Sequence, residues 1–180
     1  FFIFANSSAA FFSLSSIVVA DRPPLFKKTI EAYESQQFEK AKKGFLKLVK
    51  KYPKESLYWF NLGASYYYLK EYKKAAIAYT EVDKLKGELA PVANYYRAKA
   101  LRKLGRDELA LSSLKKVDKS AIPKNLKERV VNFTNELRAS FLSRSRAYYK
   151  KKEYKKAYEV LKTYVKSGGE LSPDIVEYEK

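Results

Sequence analysis

The 180-residue sequence predicts an all-α fold, a solenoid in which antiparallel helix hairpins stack side by side. Three observations predict it. Small residues recur at a nearly constant step, Ala41 and Ala75 lying 34 residues apart and Ala110 following 35 later. The hexapeptide Lys70-Glu71-Tyr72-Lys73-Lys74-Ala75 returns residue for residue as Lys152-Glu153-Tyr154-Lys155-Lys156-Ala157. Finally, 16 Tyr and 11 Phe supply the large side chains that surround such small residues when helices cross closely. One hairpin cannot bury its own apolar face, so the repetition is what creates a core.

Residues 1–20, FFIFANSSAAFFSLSSIVVA, carry no charge and end in Val18-Val19-Ala20. The apolar run Phe11–Ala20 has the length of a signal-peptide core, and the sequence predicts a secretory signal cleaved before Asp21. That would place the mature domain outside the cytoplasm, periplasmic or secreted. An uncleaved membrane anchor and an apolar first helix of the solenoid are the alternatives. The serines and asparagine make the stretch a poor spanning helix.

Pro23-Pro24 marks a boundary. Behind it, the first repeat (about 22–55) reads as a hairpin turning near Ser35–Gln37, with Ala41 at the small position and Phe45 four later. Its first helix is atypical, having Leu25 and Thr29 where the next repeat has Trp59 and Gly63. The second repeat (about 56–89) predicts helices over 59–69 and 71–86. They meet at Gly63 and Ala75, with Trp59, Leu62, Tyr66, Tyr72 and Tyr79 filling the volume around the contact.

A third repeat (about 91–124) opens at Pro91, a good first helical residue, and turns at Leu104-Gly105-Arg106-Asp107. Gly105 can adopt a positive φ there, and Asp107 can cap the helix that follows. The fourth repeat (about 138–171) lies 47 residues on, so about 13 residues are inserted. Leu126, Val130, Phe133, Leu137 and Phe141 form one helical stripe through the insert. The spacing predicts a single helix over about 124–150, some 40 Å long, with a break near Ser140–Ser145 as the alternative. Gly168-Gly169 ends the last hairpin, and 172–180 form a tail or the start of a capping helix.

Trp59, Leu62, Gly63, Tyr66, Ala75 and Tyr79 together reproduce the W-x2-L-G-x2-Y…A-x3-F pattern, with Tyr as the last aromatic. Over residues 22–171 the chain resembles the tetratricopeptide repeat family. The resemblance implies about four repeats wound into a right-handed superhelix. It also implies a concave groove, lined mainly by the first helix of each pair, that binds peptides or partner proteins. Carried over repeat by repeat, it puts Phe60, Asn61, Ala64, Tyr67 and Tyr68 on the groove face of the second repeat. In the third repeat Tyr95, Tyr96, Lys99, Arg102 and Lys103 take these positions, in the fourth Leu142, Arg146, Tyr149 and Lys150, and in the first Phe26, Ile30 and Tyr33. One subset of the family grips a chaperone's C-terminal carboxylate with Lys, Arg and Asn. Phe60 and Ala64 stand where that clamp needs polar groups, so such a clamp is not expected.

The charge is strongly positive, 37 Lys+Arg against 20 Asp+Glu. Residues 97–106 hold five basic residues and no acid, and 138–156 hold eight against Glu153 alone. Solvated helix faces account for much of this. The remainder points to an anionic partner, either an acidic protein segment or an anionic membrane or envelope polymer. No nucleic-acid motif is present, and nucleic acid ranks last. With neither His nor Cys, imidazole chemistry, thiol nucleophiles and the usual zinc ligands are excluded. Gly168-Gly169 is not followed by the Lys-Ser/Thr of a phosphate loop. No enzyme, cofactor or metal is expected.

The sequence therefore predicts a non-catalytic scaffold. In it Phe60, Asn61, Tyr67, Tyr68, Tyr95 and Tyr149 give a partner segment contact area, while Lys99, Arg102 and Arg146 select acidic residues. The alternative is an envelope-associated protein held electrostatically to an anionic surface.

Overall fold

The computed structural model describes residues 22–170. The expected signal and the C-terminal tail lie outside the described residues. Eight helices follow one another: α1 (Pro24–Glu34), α2 (Phe38–Lys51), α3 (Ser56–Tyr68), α4 (Tyr72–Lys84), α5 (Ala90–Lys103), α6 (Asp107–Lys115), α7 (Lys124–Lys150) and α8 (Tyr154–Lys166). Each packs on the next in chain order, and no strand occurs among the described residues. The protein is an all-helical repeat solenoid.

The four hairpin turns are one structure built four times. Gln36, Lys70, Gly105 and Lys152 each sit two residues before the second helix, with φ between 58° and 68°. In each, the following amide donates back to a carbonyl five residues earlier: Gln37 to Ala32, Glu71 to Tyr66, Arg106 to Leu101 and Glu153 to Tyr148, at 2.8–3.0 Å. This is the left-handed helix end that satisfies otherwise orphaned carbonyls, and it normally favours glycine. Only the third repeat uses one.

Ala41, Ala75 and Ala110 are completely buried, as their recurrence predicts, and Ala157 nearly so. At the second crossing, a Cβ added to Gly63 would lie 2.8 Å from Cε1 of Tyr79, so only glycine lets the tyrosine ring lie flat on α3. Trp59 is only partly buried, with Nε1 donating to the Pro53 carbonyl at 2.8 Å. The deeper residue is its neighbour Tyr58, 1% exposed, packed on Phe26 with ring centroids 5.2 Å apart. Four large apolar residues in a row, Leu57 to Phe60, leave the helical period no direction to report, and the aromatic that turned inward was not the expected one.

The insert behaves as its stripe predicts. α7 is one unbroken helix of 27 residues with Leu126, Val130, Leu137 and Phe141 buried. Ser145, placed near the alternative break, faces α8 and donates its hydroxyl to the Ala157 carbonyl at 2.8 Å. Asp107 does not cap α6. It is buried, ion-paired with Arg102 at 2.5 Å and Arg144 at 3.7 Å, because the solenoid brings α7 over the turn. Backbones approach closely at every consecutive pair except α6 and the start of the last hairpin, which meet along a short line.

Candidate protein-binding groove

The first helices of the hairpins, α1, α3, α5 and α7, are joined by a chain of aromatic contacts. Tyr33 of α1 meets Tyr68 of α3 at 6.0 Å between ring centroids. Phe60 of α3 meets Tyr96 of α5 at 5.7 Å, and Tyr95 of α5 meets Phe133 of α7 at 6.2 Å. Tyr67 stands edge-on to Tyr68 at 6.2 Å, and Tyr68 stacks on Phe38 at 4.5 Å and 11°. Edge-to-face and offset contacts of this kind are the favoured arrangements of aromatic quadrupoles, so the row is mutually supporting before any partner arrives.

The hydroxyls of this row stay protonated. Burial raises the pKa of Tyr67, Tyr68, Tyr95 and Tyr96, and the neighbouring phenols add to the effect at Tyr67 and Tyr96. Tyr33 and the fully buried Tyr79 are raised furthest, again by burial first. Tyr33 and Tyr68 also share a hydrogen bond. The face therefore offers neutral hydroxyls that both donate and accept, suited to a peptide backbone or polar side chains.

Positive charge enters at the third repeat. Lys99 Nζ sits 5.7, 5.9 and 5.8 Å from the ring centroids of Tyr67, Tyr95 and Tyr96. Burial holds its pKa below the usual lysine value, with Arg129 and Lys103 pushing the same way. The Arg129 guanidinium lies 5.5 Å from the centre of the Tyr95 ring. These groups line a pocket of about 450 Å³ with Arg102, Asn132, Phe133 and Glu136.

Of the residues singled out by sequence, Phe60, Tyr67, Tyr68, Tyr95 and Lys99 come together on this face. Tyr95 is 4% exposed, because α7 lays Phe133 and Arg129 against it. Asn61 turns its amide to its own helix, donating to the Leu57 carbonyl at 2.8 Å. Arg102 lines the pocket but is already paired with Asp107. Arg146 and Tyr149 lie elsewhere: the 17 residues from Arg129 to Arg146 separate them along α7 by about 25 Å. There Tyr149 contacts Tyr154 at 5.2 Å.

Two groove assignments are corrected: Tyr95, covered by α7, leaves little area for a partner, and Phe26 is buried as well. Phe26 is 1% exposed, wedged between Phe45 and Tyr58, where the atypical first repeat needs a large residue. The sequence reading also missed Phe38, Arg129 and Phe133 as parts of this face. Arg129 borders Val130 of the apolar stripe, and that adjacency was the available signal.

Among the described residues, no helix is long and apolar enough to cross a membrane, and no cluster of acidic side chains is arranged to hold a metal ion. A search of the curated proteins finds no match to the sequence. Residues 27–88 match a tetratricopeptide repeat family model. Among solved structures, the type III secretion translocator chaperone SycD of Yersinia enterocolitica is similar, with 22% identity and a TM-score of 0.60 over 64% of this chain and 82% of that one. The same chaperone in complex with a peptide of the translocator YopD matches at 21% identity and TM-score 0.60, over 64% and 91% of the two chains. The CopN–Scc3 complex matches at 25% identity and TM-score 0.55, over 61% and 66%. Residues 27–88 thus resemble tetratricopeptide repeats, and the stacked hairpins of the described residues share the helical-repeat fold of these chaperones.

Proposed function

We propose that the chain holds a segment of a partner protein against the aromatic face of α1, α3 and α5, as a scaffold or chaperone without catalytic activity. The observation that carries this is the aromatic surface of consecutive first helices, with Tyr33, Tyr68 and Tyr67 in one group of touching rings, Phe60, Tyr96 and Tyr95 in a second, and Lys99 over Tyr67, Tyr95 and Tyr96 between them. Tyr presents a large area at low entropic cost, and such residues dominate binding hot spots. The likeness to a chaperone solved with a translocator peptide supports the reading. Export through residues 1–20 would put the module outside the cytoplasm.

The test starts from peptides selected from a random 12-residue display library on the immobilised protein. Tyr67→Ala with Tyr68→Ala should weaken them tenfold or more while circular dichroism is unchanged, and wild-type binding should survive 0.5 M salt, where the Debye length is about 4 Å. Unchanged affinity in the double variant would sink the groove reading. Binding that vanishes in 0.5 M salt would favour the electrostatic alternative, for which the exposed Tyr154 and Tyr158 among the lysines of α8 are the natural surface.

A further inference from the structure

The pocket between α5 and the inserted half of α7 concentrates positive charge, with Glu136 as the one acid in its lining. Arg102 has Asp107, but among the described residues no ion pair involves Lys99, Lys103 or Arg129. Lys99 is half-buried, and the groups that act on it electrostatically are both cations. Tyrosine faces beneath Lys99 and Arg129 partly compensate for lost water, and Arg129 also hydrogen-bonds to the Tyr95 and Tyr96 hydroxyls. Phe133 and Tyr67 flank the cations with apolar surface.

We propose that this pocket receives the carboxylate of an Asp or Glu side chain from the bound segment, held between Lys99 and Arg129, with an adjacent apolar side chain resting on Tyr67 and Phe133. The inserted half of α7 is then a specificity element, since Arg129 and Phe133 both come from it. This rests on the groove reading above. An anion entering between two partly desolvated cations gains charge-assisted hydrogen bonds and relieves their mutual repulsion. A volume of about 450 Å³ admits a carboxylate and one neighbouring side chain. Glu136 on the wall offsets part of the positive charge, so the pull on a doubly charged phosphoryl group is weaker than the cations alone would exert.

Two measurements test this. In the peptides selected above, an Asp or Glu beside an apolar residue should recur. Replacing that acid by its amide should weaken binding tenfold or more to wild type, and by less than twofold to Lys99→Gln/Arg129→Gln. Independently, the Lys99 ε resonance, assigned with Lys99→Arg, should shift saturably with N-acetylglutamate amide, but not with N-acetylglutamine amide or with inorganic phosphate at equal ionic strength. Arg129→Gln should abolish the shift.

Selected peptides without a recurring acid would overturn the pocket's role and leave the groove intact. An equal response to phosphate would overturn the preference for a carboxylate. Failure to select any peptide, with the resonance still saturating, would overturn the groove and keep the pocket. Failure of both would remove both readings.

Discussion

Thr29 on α1 packs directly on Gly44 of α2, so the glycine of the first crossing stands on the second helix, whereas that of the next crossing, Gly63 against Tyr79, stands on the first. In the second repeat the glycine is on the first helix and the large residue on the second. In the first repeat the β-branched Thr29 occupies the glycine position, its hydroxyl donating to the Leu25 carbonyl at 2.6 Å, and the gap is opened from α2 by Gly44. A Cβ on Gly44 would lie 2.6 Å from Thr29 Cγ2 and 2.9 Å from its Cβ. The first repeat is thus a rearranged version of the second.

This relationship predicts strong coupling. Gly44→Ala alone should destabilise by about 1–3 kcal/mol, as overpacking usually does. In a Thr29→Gly background the same change should be neutral or stabilising, because a mid-helix glycine is removed and nothing is struck. Urea denaturation of the four proteins would give the coupling energy, and additivity within about 0.3 kcal/mol would show that the two residues do not oppose each other.

The four turns predict a second set of changes. A Cβ at Gly105 would meet nothing within 4 Å, so Gly105→Ala isolates the backbone term of φ +68° and should cost about 1 kcal/mol. Lys70→Gly, at φ 61°, should stabilise by about 0.5–1 kcal/mol. Thermal unfolding reads both. Equal melting temperatures for Lys70→Gly and wild type would mean that the lysine's left-handed conformation carries no strain.

Asp83 predicts the pH dependence. Burial opposes its ionisation, yet hydrogen bonds from Lys116 and Asn94 and the charge of Arg97 hold its pKa below the usual aspartate value. Lys116 donates at 2.8 Å and Asn94 at 2.7 Å, so one carboxylate ties α4 to α5 and to the end of α6. Because the folded pKa is the lower one, this stabilisation is complete above the unfolded aspartate value and is lost as pH falls through the folded value. Asp83→Asn should cost about 1 kcal/mol at pH 7 and flatten the acid side of the stability profile. An unchanged acid limb would place the pH sensitivity elsewhere.

What could be read in advance divides along physical lines. Ala41, Ala75, Ala110 and Ala157 mark helix crossings, and a crossing tolerates only small residues, so spacing revealed the repeats directly. The stripe Leu126–Phe141 likewise foretold an unbroken α7. The orientation of individual aromatics was less legible. Tyr58, Trp59 and Phe60 are chemically near-equivalent to a periodicity argument, and neighbouring repeats decide which of them turns inward. Phe26 and Tyr95 were harder still, since each is covered by an element whose position depends on the whole stack. Arg129 could not be assigned without knowing where the insert lies.

A 27-residue rod has mechanical consequences that its packing alone does not reveal. The end of α7 carrying Arg129 presses on α5, while the other end carries α8 through Ser145 and Phe141. With no break between them, the two ends share one orientation. The joint with α6, where contact is shortest, is the natural fulcrum. Wedging a ligand beneath Arg129 would therefore swing the terminal hairpin as a lever arm, and the far face of the molecule would register occupancy of a pocket about 25 Å away.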